Sequence, residues 1–317
     1  MSRPRIVFMG TPEFAVASLV ACFDVGEVVA VVTQPDKPKG RGNALSIPPV
    51  KALALERGVT VLQPPKLRTP PFSEELRKLA PDVCVVTAYG KLLPKDVLEV
   101  PPHGCLNVHA SLLPRFRGAA PIQWSIAHGD TETGVTLMRM EEGLDTGPII
   151  SMKRMPVSPD DTSAVLHEKL SRLGGDILRE SLPAYLRGEL KPVPQPSEGM
   201  VLAPIIQKED GLLDFTRPAV ELERRLRAFT PWPGVYTGLN GARLKVHRAK
   251  VGTGKGTPGA VLSAGTGGLE VACGEGSLVL LDVQLEGKRV MSAAEFLAGH
   301  KLAPGSQPFA APVENKS

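Results

Sequence analysis

Residues 5–10 and 27–33 are short, almost continuously apolar runs. Between them Thr11, Pro12 and Glu13 offer an N-cap, a proline suited to a first helical turn and an acid for the helix's positive end, which predicts a helix over 12–23. This opening constrains the fold more than any other feature. Strands without a polar face belong inside a sheet covered on both sides, and two strands joined through a helix pair in parallel. The grammar repeats, with a helix expected over 50–57, a strand over 59–62, a helix over 73–79, a strand over 82–88, a helix over 119–128 and a strand over 133–140. An amphipathic helix over 163–186 follows, with Leu166, Leu170, Leu173, Ile177, Leu178, Leu182 and Leu186 at three-or-four spacing. The prediction is an α/β domain around a doubly wound, mostly parallel sheet. Gly10 stands where a dinucleotide fingerprint would begin, but Thr11-Pro12-Glu13-Phe14-Ala15 follows it in place of spaced glycines, so a tight turn is expected and no nucleotide cofactor.

The grammar changes after residues 188–199, where three prolines mark a linker. Beyond a helix over 219–229, short alternating segments at 243–250, 259–263, 269–273 and 278–285 are separated by glycine-rich turns, predicting a smaller β-barrel, with an OB-like form as one option. Lys255-Gly256 is not part of a phosphate-binding loop, because the preceding glycine spacing is not met. A chain of 317 residues has room for two such cores. No stretch approaches the roughly 20 apolar residues that cross a bilayer, and the apolar run at 6–9 is too short for a signal peptide. Cys22, Cys84, Cys105 and Cys273 form no Cys-x-x-Cys pair, which argues against a zinc ribbon or disulfide framework and for a reducing cytoplasm. The net charge of +4 divides into +3 within residues 208–317 and +1 before them, a bias that permits a nucleic-acid partner.

The chemistry concentrates in residues 104–118. Leu106, Val108 and Ala110 alternate with Asn107 and His109, so on a strand the amide and the imidazole share one face, about 7 Å apart. They stand at the carboxyl end, where open α/β sheets bind ligands. Downstream, Gly143, Gly147 and Pro148 punctuate a loop that would hold Asp145 in a fixed turn near His109, whereas Glu141 and Glu142 read as exposed acids. Ser111 lies in no nucleophile elbow, and one imidazole with one carboxylate is too little for a metal site, so no metal is expected. Acyl transfer to an external amine suits the set: Asn107 donates to an oxyanion without titrating, a neighbouring Asp145 favours the protonated form of His109, and Asp145 takes the amine proton. The alternative is an Asn and His that merely cap the following loop. Residues 34–49 form a connection longer than usual, and Lys37, Lys39 and Arg41 against Asp36 make it either a phosphate-tracking loop or a solvated one.

Asn107-Val108-His109-Ala110-Ser111-Leu112-Leu113-Pro114 with Arg117-Gly118-Ala119-Ala120-Pro121 resembles the signature of the folate-dependent formyltransferases. Thr33-Gln34-Pro35-Asp36 with Gly40-Arg41-Gly42, Ala88-Tyr89-Gly90, Gly143 to Gly147 and Arg227 to Pro233 extend the resemblance over nearly the whole chain. It implies a Rossmann-like catalytic domain over 1–189, a linker over 190–207 and a C-terminal β-barrel, tRNA-binding domain over 208–317. It implies catalysis by Asn107, His109 and Asp145, with 10-formyltetrahydrofolate as co-substrate held by Tyr89, Gly90, Leu93, Ser111, Leu112, Leu113 and Pro114. The implied acceptor is the amino group of methionine on initiator tRNA, gripped by Lys37, Lys39 and Arg41. A small nucleotide or nucleotide-sugar amine is the alternative acceptor. A cytoplasmic monomer without a membrane partner is expected.

Overall fold

The computed structural model describes residues 3–39, 44–68 and 71–310. The described residues divide into two compact units, the first within Met1–Pro121, Glu132–Pro156 and His167–Ala203, the second within Ile122–Thr131, Val157–Leu166 and Pro204–Ser317. The strands of the first are β1 (Arg5–Gly10), β2 (Glu27–Val32), β3 (Lys37–Lys39), β4 (Ala44–Ser46), β5 (Val61–Leu62), β6 (Val83–Thr87), β7 (Cys105–His109), β8 (Arg117–Gly118), β9 (Glu132–Arg139), β10 (Ile149–Pro156) and β11 (Leu202–Ala203). The helices introduced along the same stretch are α1 (Val16–Val25), α2 (Pro49–Glu56), α3 (Phe72–Lys78), α4 (Lys95–Leu98), α5 (Pro121–His128) and α6 (Ser163–Leu186).

Seven of these strands form one sheet in the order β10-β9-β7-β6-β1-β2-β5. It is parallel from β5 to β7 and antiparallel at β7/β9 and β9/β10. The chain winds outward from β1 to β5, then returns to β6 on the other side of β1, and that reversal opens a crevice at the carboxyl ends of β1 and β6. The centre of the sheet is the best anchored part. Ile6 to Met9 and all of β6 are buried, and each large apolar side chain among them stabilises the fold by about 1.5–3 kcal/mol, so the loops leaving these strands start from fixed points. Gly174 and Gly175 let α6 come close: a Cβ on the first would lie 3.1 Å from Val108 Cγ1 on β7, and on the second 2.9 Å from the Ala17 carbonyl.

Four local expectations need correction. Thr11 does not cap a helix; Pro12 occupies the N-cap of a 3-10 turn over Glu13–Ala15, and the Thr11 hydroxyl instead accepts from Gln34 N at 3.2 Å and reaches the Tyr89 carbonyl at 3.4 Å. Gly10 is the last residue of β1 and makes no left-handed turn. It is required because a Cβ there would lie 2.8 Å from the Thr87 carbonyl on β6. The long connection after β2 carries the antiparallel strand pair β3/β4, and an extra strand, β10, follows the Asp145 loop.

In the second unit α7 (Ala219–Ala228) precedes β12 (Val235–Leu239), β13 (Ala242–Gly252), β14 (Val261–Gly265), β15 (Gly268–Ala272), β16 (Ser277–Leu285), β17 (Met291–Ser292), α8 (Ala293–Gly299) and β18 (Phe309–Ala310). The strands form an antiparallel sheet, β14-β15-β16-β13-β12-β18, with β17 paired to β16. Leu244, Val246, Leu269, Val271, Leu278 and Leu280 are buried at alternate positions, as one covered face requires. Asn240 and Gly241, both at positive φ (50° and 85°), make the tight hairpin between β12 and β13.

Candidate active site

Strand β7 delivers Asn107 and His109 as its alternation dictates. His109 is buried at 6 % exposure and Asn107 is half-buried. After β7 the chain curls back over the imidazole. Ser111 Oγ donates to the Arg115 carbonyl at 2.6 Å, Leu113 N donates to Thr136 Oγ1 at 3.1 Å, and that hydroxyl donates to the Ser111 carbonyl at 2.7 Å. Phe116, at φ 62°, turns its carbonyl onto His109 Nε2 at 2.9 Å. A carbonyl can only accept, so Nε2 carries a proton and Nδ1 is the nitrogen left for chemistry.

Asp145 sits opposite. Its Oδ1 accepts from Asn107 Nδ2 at 3.4 Å, its Oδ2 accepts from Gly118 N at 2.9 Å, and the same Oδ2 lies 3.6 Å from His109 Nδ1. The last distance is a charge contact, longer than a hydrogen bond. Asp145 adopts φ 53°, a left-handed conformation that costs an L-residue about 1–2 kcal/mol. The neighbouring structure holds it there: Gln195 Nε2 donates to the carbonyls of Asp145 at 2.7 Å and Gly147 at 2.8 Å. Gly147 itself is pinned by close approach, since a Cβ would lie 1.9 Å from the Arg139 carbonyl at the end of β9. An amide donor, an imidazole nitrogen and a carboxylate thus converge on one point. The Asn107 side chain makes no second hydrogen bond among the described residues, so one N–H remains to meet an oxyanion.

The loop after β6 is the other half of the crevice. Ala88 (φ 48°) and Gly90 (φ 80°) reverse the chain, and Gln34 Nε2 fixes the turn by donating to the Tyr89 carbonyl at 2.9 Å. The side chains of Tyr89 and Leu93 are buried in the core with residues of β1, β2 and β6, among them Met9, Val32 and Val86. Burial pushes the Tyr89 phenol up to about 12. Ser111, Leu113 and Pro114 are buried and Leu112, half-buried, packs toward Gly134 on β9. By contrast Leu92 (79 % exposed) and Leu144 (53 % exposed) leave large apolar side chains in solvent on the loops that also carry Gly90 and Asp145. Sequence reasoning passed over both, although a leucine flanked by turn residues is the available signal.

Of the basic loop, Arg41 lies outside the described residues, while the backbones at Lys37 and Lys39 form β3. Its base is anchored. Lys51 Nζ reaches Asp36 Oδ2 at 2.6 Å, and Gln63 Nε2 donates to Asp36 Oδ1 at 2.8 Å, contacts that hold the Asp36 carboxyl below its usual range. Among the described residues no group of three or more His, Cys, Asp or Glu could hold a metal ion, and no helix is long and apolar enough to cross a membrane.

Residues 4–182 match the family model described as formyl transferase, and residues 205–301 match the formyl transferase C-terminal domain. The chain belongs to the formyl transferase family. A family member of Myxococcus xanthus (strain DK1622), described as a methionyl-tRNA formyltransferase, is 77% identical over 311 residues, covering 98% of this chain and 100% of the relative. Among solved structures, WlaRD, a sugar 3N-formyl transferase, superposes with a TM-score of 0.66 at 17% identity, covering 91% of this chain and 100% of that one. HypX from Aquifex aeolicus, solved with tetrahydrofolic acid, gives 0.60 at 18% identity, covering 95% of this chain and 48% of HypX. The formyl transferase chain therefore spans about half the length of HypX, and its likeness to these two structures is one of fold.

Proposed function

We propose that this chain moves a formyl group from 10-formyltetrahydrofolate to the amino group of methionyl initiator tRNA. The observation that carries the reading is the 77% identity with a methionyl-tRNA formyltransferase over its whole length, second unit included. A transferase for a small nucleotide or nucleotide-sugar amine has less use for a basic loop.

The folate derivative supplies the formyl carbon, whose bond to the folate nitrogen is exchanged for one to the acceptor amine, with the amine proton passing to the folate nitrogen. The chain's own groups fit this exchange. The free N–H of Asn107 and a proton on His109 Nδ1 meet the formyl oxygen as charge grows on it, and Asp145 takes the amine proton and hands it on. Exposed Leu92 and Leu144 supply apolar surface for a planar ring, beside the backbone of 89–93 and 111–114. Lys37, Lys39 and Arg41 meet the acceptor stem, and residues 208–317 form the tRNA-binding domain after a linker over 190–207, with 1–189 catalytic. The protein works as a cytoplasmic monomer. The test follows label from 10-formyltetrahydrofolate in the presence of charged initiator tRNA, charged elongator tRNA, small amines or no acceptor. Label on initiator tRNA supports the reading, and label only on a small amine or only in free formate refutes it.

A further inference from the structure

The segment after α6 reads in sequence as a proline-rich connection, yet one of its side chains is bonded into the catalytic loop. A carboxamide has two N–H donors and an oxygen with two lone pairs. Gln195 uses all four. Its two donors go to the carbonyls of Asp145 and Gly147, at 2.7 Å and 2.8 Å, the two ends of the turn that presents the catalytic carboxylate. Its oxygen accepts from Arg117 Nε at 3.0 Å and Nη2 at 2.6 Å. Arg117 adjoins Gly118, whose N–H donates to Asp145 Oδ2. The contacts close a ring from Gln195 through the Asp145 backbone, the Asp145 carboxylate and the Arg117–Gly118 strand back to Gln195.

The ring is fastened at both ends. Upstream of Gln195, Val193 pairs with Ile149 at the start of β10, with 2.8 Å bonds in each direction. Downstream, β11 pairs in parallel with β8, and a Cβ on Gly118 would lie 2.6 Å from the Ala203 carbonyl. The segment from Val193 to Ala203 is thus laid along the site rather than slack between two points.

We infer that Gln195, oriented by Arg117, is a positioning residue for formyl transfer: it holds the Asp145 turn in its left-handed conformation and so sets the carboxylate against Asn107 and His109. The inference rests on the transfer reading above. Its specific chemical content is the direction of the hydrogen bonds. The two carbonyls at the turn require donors, so an isosteric glutamate keeps a partner for Arg117 but sets an acceptor against two acceptors.

The test compares full-length wild type with Gln195→Ala, Gln195→Glu and, as a control on the same segment, Val193→Ala, whose side chain points to solvent. Both Gln195 variants are expected to lose about 10- to 100-fold in kcat, because a displacement on the ångström scale of a reacting group costs that much. KM for charged tRNA and for the formyl donor should stay within about twofold, the kcat–pH profile should move by about half a unit or more, and Val193→Ala should match wild type. Gln195→Glu behaving as wild type overturns the inference, as does a fall in kcat that only follows the folded fraction with the pH profile unmoved. Hydrogen exchange keeps the inference separable from the reaction assigned. Amides of residues 143–147 should exchange faster in Gln195→Ala than in wild type whatever the acceptor, and unchanged exchange refutes the positioning role. Absence of transfer by wild type to any acceptor refutes the transfer reading instead.

Discussion

Replacing Asp145 by asparagine alters the site with almost no change of shape. Gly118 N can still donate to the remaining amide oxygen, but the new NH2 then faces the Asn107 amide, donor against donor, and the charge opposite His109 is gone. Two unit charges 3.6 Å apart attract by about 4–5 kcal/mol at an effective dielectric of about 20, which bounds the loss when His109 carries protons on both nitrogens. At about 1.4 kcal/mol per decade this caps the electrostatic part at roughly three decades in kcat. Loss of the carboxylate as proton acceptor removes about 10² or more in addition wherever proton transfer limits the step. Asp145→Asn is therefore expected to fall by about 10³ or more in single-turnover formyl transfer to charged initiator tRNA, measured with labelled donor so that product release does not mask the chemistry. Stability should change by no more than about 1 kcal/mol, the weight of one ordinary hydrogen bond. A folded Asp145→Asn protein transferring formyl groups within threefold of wild type would refute the assignment of Asp145.

Asn107→Ala should lose about 10² to 10³ in kcat as an oxyanion donor does, and steady-state turnover equal to wild type would sink that role. Arg41→Ala should weaken use of tRNA, spare the folate donor and reduce the salt slope of tRNA binding by about 1; a defect confined to the folate donor contradicts the role of the loop. Tyr89→Phe probes the core under the crevice. A phenol at about 12 in the fold and near 10 when unfolded contributes stability that is full below about pH 10 and is lost as pH rises toward 12. The Phe variant should lack that decline. Because the hydroxyl has no partner among the described residues, the variant should also be as stable as wild type at neutral pH or up to about 1 kcal/mol more so. Thermal unfolding at several pH values checks both, and curves parallel to wild type would show the argument wrong.

The sheet was legible because its strands are local patterns. Ile6 to Met9 and Val83 to Val86 are apolar without interruption, and only a strand covered on both faces tolerates that. The alternation around Asn107 and His109 likewise fixed their common face, since side chains on a strand repeat every second residue. Strand β10 was not legible. It is an edge strand whose residues are mostly half-buried or exposed, so it has no clean period, and Lys37-Pro38-Lys39 carries no strand pattern at all. Thr11 departs from its sequence pattern because a hydroxyl that caps a helix and one that bridges two loops look alike until the neighbouring strands are placed.

What the sequence determined by itself was the α/β order and the identity of the polar groups at the end of β7. Tertiary structure decided how those groups are held. Asp145 meets Asn107 across 38 positions, Gln195 meets Asp145 across 50, and Arg117 meets Gln195 across 78. No local period encodes such partners. They follow from a sheet order that returns distant segments to one edge, where an unsatisfied carbonyl or carboxylate must find a donor, and in this fold the donor for the Asp145 turn comes from a stretch that composition alone marks as a linker.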